Sequence, residues 1–178
     1  MTAAPLRSVR APIAGMRLLA PTLTDLMILV GEARPDEIEQ YEAILGVAWD
    51  RDTIAVDHYQ RHGVKFVLVD DGGAPVCAGG WDLVGPDVWQ SWMVGTMSHW
   101  DRHWRAITKA SRLVMSGLFD QGARRLQTNA LASRTAACHW YERGLLMRPE
   151  GVMRGYGVNG EDVAMFARLR PASGSENG

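Results

Sequence analysis

The spacing of apolar positions changes period along the chain, and the changes mark its elements. Met16-Arg17-Leu18-Leu19-Ala20, closed by Pro21, predicts a short first strand. Thr24-Asp25 then caps a helical stretch with Leu26, Leu29 and Val30 at helical spacing, ending near Gly31 or Arg34. Pro35 restarts a helix with acids in its first turn, Asp36 and Glu37, and Gly46 closes it. A third short helix is predicted from Asp52 to His62. From Val64 to Val69 the residues turn β-branched and nearly continuous, and Asp70-Asp71-Gly72-Gly73 is a turn. Pro75 to Leu83 is the next strand, where Gly79-Gly80 marks a bulge or a close backbone approach. Val88 to Met97 completes an antiparallel meander. Ser98, with Asp101 three residues on, predicts a helix cap. The stripe Trp100, Trp104, Ile107, Ser111, Val114, Leu118 carries that helix to Gly122. Arg124 to Ala130 is a strand, and Ser133 to Gly144 a helix with Ala136, Ala137 and Trp140 inward and Arg134 and Arg143 outward. Asn159-Gly160 between Gly151–Gly157 and Glu161–Leu169 predicts a closing hairpin.

This pattern is an α+β domain over residues 16–170, with a loose arm at 1–15 and a polar tail at 171–178 that is expected to be disordered. Its organising stretch is Ser91 to Asn129, read as strand, turn, helix, strand. Such a unit makes a parallel pair, and the helix N-terminus between the strands offers unpaired N–H groups to an anionic guest.

Composition narrows the function classes. The net charge of -1 gives no electrostatic footprint for nucleic acid. No apolar run approaches the ~20 residues of a membrane span, and the N-terminus lacks a secretory segment, so a cytoplasmic protein is expected. Cys77 and Cys138 match no zinc or redox spacing and read as buried free thiols. Six of the seven tryptophans, Trp81, Trp89, Trp92, Trp100, Trp104 and Trp140, lie in the middle of the chain, which predicts an aromatic wall there, with Trp49 apart.

The element order resembles the GCN5-related N-acetyltransferase (GNAT) fold over roughly Met16 to Leu169. Two segments are similar to GNAT-like proteins of phages and prophages: Ala33-Arg34-Pro35-Asp36-Glu37-Ile38-Glu39, and the run from Leu131 through Arg148-Pro149-Glu150-Gly151, Gly155-Tyr156-Gly157 and Gly160-Glu161-Asp162. The resemblance implies a mixed, mostly antiparallel sheet of six to seven strands with a central strand–helix–strand crossover. It implies acetyl-CoA as donor and a primary amine, on a small molecule or a protein, as acceptor, in a monomer or homodimer. The cofactor would lie between Val88–Met97 and Arg124–Ala130, against Met93, Val94, Gly95, Asn129 and Ser133.

The family's phosphate turn carries glycines that let backbone N–H groups reach the phosphates. Here the turn is Met97-Ser98-His99-Trp100-Asp101-Arg102-His103, without glycine, and Arg102, His103 and Arg105 are the groups that could compensate. Tyr141 stands where the family places a general acid, although Tyr141-Glu142-Arg143-Gly144-Leu145-Leu146-Met147 departs from the usual Tyr-x-x-x-Gly-Phe. A base for the amine is open among Asp82, Glu32, Glu37, His99 and Glu150, and Arg34 with Glu37 marks either the acceptor entrance or a surface pair. Two readings follow: an acetyltransferase, or a catalytically inactive phage protein with a virion-associated or host-interaction role.

Overall fold

The structure, a computed structural model, describes residue 13 and residues 15–171. The arm assigned to residues 1–15 therefore enters only at Ile13 and Gly15, and the tail past Pro171 lies outside the described residues. Ile13 is packed into the core and pairs with Met16 across a Gly15 turn.

Among the described residues the chain forms one seven-stranded sheet: β1 (Arg17–Leu19), β2 (Val64–Val69), β3 (Pro75–Gly85), β4 (Val88–Gly95), β5 (Arg125–Leu131), β6 (Arg148–Met153) and β7 (Val163–Leu169). Its order is β1-β2-β3-β4-β5-β7-β6, and β4–β5 is the parallel pair. Three helices precede β2: α1 (Leu23–Gly31), α2 (Pro35–Leu45) and α3 (Arg51–Gln60). The crossover helix α4 (Met97–Asp120) joins β4 to β5, and α5 (Thr135–His139) follows β5.

The two faces of the sheet carry separate cores, because alternate residues of each strand point to opposite sides. On one face Leu26, Leu29 and Val30 of α1 and Ile54 and Ala55 of α3 pack on Val67, Ala78 and Val94. On the other, Ile107, Ala110, Val114 and Leu118 of α4 pack on Phe66, Leu68, Cys77 and Leu126. Burial, with the Glu37 charge adding to it, holds the Cys77 thiol well above its ordinary pKa, as expected of an inert core thiol.

Several element ends differ from the sequence expectation. Thr22, not Thr24, caps α1, its hydroxyl accepting from Asp25 N–H while the Asp25 carboxylate accepts from Thr22 N–H. Strand β4 stops at Gly95 and Thr96, not Ser98, caps α4, because the Thr96 hydroxyl is the group that reaches His99 N–H. The predicted helix Ser133–Gly144 is short. Regular α5 ends at His139, and Trp140–Gly144 widens into one π-helical turn. A Cβ at Gly144 would sit 2.5 Å from the Trp140 ring, so the turn requires glycine there. The closing hairpin forms as β6–β7, but its first strand is Arg148–Met153 rather than Gly151–Gly157, and the longer connection is held by the Gly-Glu-Asp run: Gly155 N–H donates to Asp162 and Asn159 N–H to Glu161.

Candidate functional site

β4 and β5 pair over only three positions, Val88 with Arg125, Trp89 with Leu126 and Gln90 with Gln127. Beyond them the strands part, and each is left with a row of N–H and C=O groups facing the gap. Gly95 on β4 and Leu131 on β5 point their N–H groups into it, and both are taken by α2. The Glu37 carboxylate accepts from Gly95 at 3.1 Å, and Gln40 Oε1 accepts from Leu131 at 3.2 Å. One helical turn of α2 thus bridges the two strands. By the two-residue period of a strand, the backbone groups of Met93 and Asn129 face the same gap.

The bridge is held by Arg134. Its Nη2 lies 2.6 Å from Asp36 Oδ2 and its Nη1 donates to Gln40 Oε1 at 2.7 Å. The outward orientation expected for Arg134 is therefore corrected: its side chain is 11% exposed and faces α2 across the β5 end. The amphipathic reading failed because α5 is too short to present two faces. Arg34 pairs with Asp36 at 3.0 Å rather than with Glu37, and its guanidinium lies over the Trp100 ring at 5.4 Å.

A cavity of about 390 Å³ runs through this gap and reaches both faces of the sheet. On the α2–α3 side its walls are Tyr41, Trp49, Trp92, His58 and Arg61; on the α4 side they are Trp100, Trp140, Tyr141 and Leu145. Of the six tryptophans expected in an aromatic wall, Trp81, Trp92, Trp100 and Trp140 line the cavity and Trp89 and Trp104 do not, whereas Trp49, expected to stand apart, belongs to it. Tyr41 and Trp49 meet edge-on at 5.1 Å, His58 stacks on Trp92 at 4.2 Å, and Trp100 meets Trp140 at 5.3 Å.

Two indoles need glycine beside them. A Cβ at Gly80 would fall 2.6 Å from Trp92, and one at Gly95 would fall 2.9 Å from Trp100. Of the two readings of Gly79-Gly80, close approach is the one realised, since the β3–β4 register runs unbroken there.

Of the predicted cofactor contacts, Met93, Val94 and Asn129 line the cavity, whereas the Gly95 N–H is held by Glu37. Arg102, His103, Arg105 and Ser133 do not line it. Arg102 and Ser133 are exposed, Arg105 lies over Trp104 at 4.6 Å, and His103 stacks toward His99 at 6.0 Å.

Electrostatics separates the five carboxylates and imidazoles considered as bases. Asp82 is bound by Arg61 at 2.8 Å, Glu150 by Arg125, His99 Nδ1 lies 2.7 Å from the Thr96 hydroxyl, and Glu32 is exposed on the C-cap of α1. Glu37 has no ion pair among the described residues. Burial raises its pKa to about 7, against the lowering pull of the Gly95 N–H and of Arg134 and Arg34. Its place in the first turn of α2 makes it look, in sequence, like a solvated acid that favours the helix dipole.

Across the gap, Tyr141 is partly buried and packs on Phe166 at 5.5 Å. Burial raises its pKa, so its phenol keeps its proton. The π-turn places it: Arg112 on α4 donates to the carbonyls of Arg143 and Gly144 and fixes that turn against the crossover helix.

The site can therefore hold an extended guest between parted strands, with a neutral phenol on one side and a half-titrated carboxyl on the other. No family model matches the sequence, and no curated protein does. Solved structures do match. An acetyltransferase of the GNAT family from Bacillus anthracis aligns with a TM-score of 0.68 at 12% identity, over 87% of this chain and 95% of its own. A GCN5-related N-acetyltransferase from Brucella melitensis aligns at 0.68 and 18% identity, over 88% and 76%. The ribosomal-protein-S18-alanine N-acetyltransferase of Escherichia coli aligns at 0.67 and 17% identity, over 92% and 99%. With the parted β4–β5 pair and its crossover helix, these matches give this chain the fold of the GCN5-related N-acetyltransferases.

Proposed function

We propose that this protein is a cytoplasmic N-acetyltransferase that moves an acetyl group from acetyl-CoA to a primary amine by direct attack in a ternary complex. The observation that carries the reading is the continuous cavity through the β4–β5 gap, with Glu37 and Tyr141 on it. The residues present fit an amide-bearing arm, because the backbone groups of Met93 and Asn129 face the gap. Phosphates would meet the N-terminus of α4 in place of a glycine turn, where Asp101 lines the cavity and Arg102 and His103 lie outside its lining. When bound, the thioester supplies an acyl group activated by a thiol leaving group.

Glu37 takes the proton that the amine must lose before its nitrogen can attack, at a carboxylate whose pKa of about 7 suits a base near neutrality. Tyr141 holds at its phenol oxygen the proton that a departing thiolate requires. Arg134 keeps Asp36 neutralised beside Glu37, so that α2 presents one reactive carboxylate rather than two.

The second reading, an inactive GNAT-like phage protein acting in a virion or on a host partner, has one observation in its favour. Gly95 and Leu131 already have internal partners in Glu37 and Gln40, and the Trp100 ring covers Gly95. Calorimetry and thermal shift with acetyl-CoA separate the two. At 100 times its dissociation constant the ligand should add about 2.7 kcal/mol of stability. No heat and no shift at millimolar acetyl-CoA would rule out the transferase.

A further inference from the structure

The part of the cavity on the α2–α3 face is an aromatic chamber whose charges are already matched. Asp36 is held by Arg34 and Arg134, and Arg61 is held by Asp57 and Asp82, each at 2.8 Å. Among the described residues of this chamber, Glu37 is the carboxylate without a cationic partner, and no cation is left over to meet a carboxylate. His58 adds no charge. Burial, with Arg61 beside it, lowers its pKa to about 4, and it is stacked flat on Trp92.

Each substrate class makes its own demand on such a site. A polyamine needs several free carboxylates; the chamber offers Glu37, and Asp101, the other carboxylate lining the cavity without an ion pair, is exposed on α4. An amino acid needs a cation for its carboxylate, and here Arg34, Arg61 and Arg134 are all taken. What remains is one acceptor for one amine, set among Tyr41, Trp49 and Trp92, with Leu45 at the outer edge and 52% exposed. A cavity of about 390 Å³ in all is of small-molecule size.

We propose that this chamber takes a small primary amine carried on a single aromatic or compact apolar body. The amine sits at Glu37 and the body stacks between Trp49, Tyr41 and Trp92. This rests on the acyl-transfer reading above and names its acceptor.

Four probes test it: 2-phenylethylamine, spermidine, phenylalanine and an alanine-initiated peptide. Each is assayed by product formation with acetyl-CoA and, separately, by calorimetry on the protein without acetyl-CoA. The expected result is preferential binding and turnover of 2-phenylethylamine. Trp49→Ala should then raise its KM about ten-fold with little change in kcat, and Trp49→Phe should restore most of that loss. Preferential turnover of spermidine, phenylalanine or the peptide would overturn the acceptor assignment and leave acyl transfer standing. Binding of 2-phenylethylamine without product from any probe would remove acyl transfer and leave the chamber standing. No binding of 2-phenylethylamine by calorimetry overturns the chamber itself. A Trp49→Ala protein that fails to fold is replaced by Tyr41→Leu, for which the same rise in KM is required.

Discussion

Glu37 governs the site at the scale of single residues, and its charge has consequences for both rate and stability. As a base titrating near 7, it predicts that kcat/KM rises with pH through about 7 and that Glu37→Gln removes this limb. The same substitution should lower kcat by about 10²–10⁴-fold, the usual contribution of general base catalysis. The stability effect has the opposite sense. The folded state binds the Glu37 proton more tightly than the unfolded chain, whose carboxyl titrates near its ordinary value of 4.5. Stability from this group is therefore full below about 4.5 and is lost as pH rises to about 7. His58 tilts the curve the other way, since its depressed folded pKa removes stability as pH falls from 6.5 toward 4. Denaturant titration between pH 5 and 8 should find Glu37→Gln more stable than the parent at the alkaline end, by as much as ~3 kcal/mol. A parent-like pH profile in that variant would contradict the assignment. In the sequence Glu37 is one of five equal candidates, because an acid early in a helix is as expected at the surface as at a site. The decisive fact is the 58-residue separation of Glu37 from Gly95, which no local pattern encodes.

At the scale of elements, α2 is the part whose role the sequence hides. Its existence and both ends are readable: Pro35 starts it, and Gly46 ends it in a left-handed conformation at φ 69°. Its location is not readable, since mean polarity is the same for a helix over a gap and a helix over solvent. Here α2 sends Tyr41 to the core on the β4 side, while Ala43 packs with Leu131 and Val163 on the β5–β7 side. Arg134 is what pins it, through Asp36 and Gln40. Arg134→Ala leaves Asp36 with Arg34 alone and Gln40 with the Leu131 N–H alone, and the cost should be about 1–3 kcal/mol in chemical denaturation. Full rescue by Arg134→Lys would be inconsistent with the forked geometry assigned here, because the ammonium is a single point donor without the span of the two guanidinium nitrogens that reach Asp36 and Gln40. The same blindness explains α5. Twelve residues with helical spacing read as one helix, but the Trp140 ring seated on Gly144 opens its second half into a wider turn.

At the scale of the whole molecule, the meander, the crossover and the closing hairpin were legible because each strand carries its own period and its own turn. The resemblance to the acetyltransferase fold followed from their order. The passage through the sheet was not legible, since it arises from where two strands stop pairing and from indoles placed on both faces. Gly80 ties these together: any side chain there displaces Trp92 and so deforms the chamber wall. Gly80→Ala should cost about 1–3 kcal/mol by overpacking and should abolish the heat of 2-phenylethylamine binding. Unchanged amine affinity in a destabilised Gly80→Ala protein would show that Trp92 does not form the wall.

The bridge across the gap bears on how any occupant of it would be detected. Because Glu37 and Gln40 already satisfy the two strands, a guest that takes over Gly95 or Leu131 exchanges one partner for another, and the amides of the strands stay protected throughout. The helix is the element set free. Hydrogen–deuterium exchange on saturation with ligand should therefore speed up over residues 37–45 while residues 91–95 and 127–131 slow or hold. Binding would announce itself as a loosening of the cover, not a tightening of the cleft.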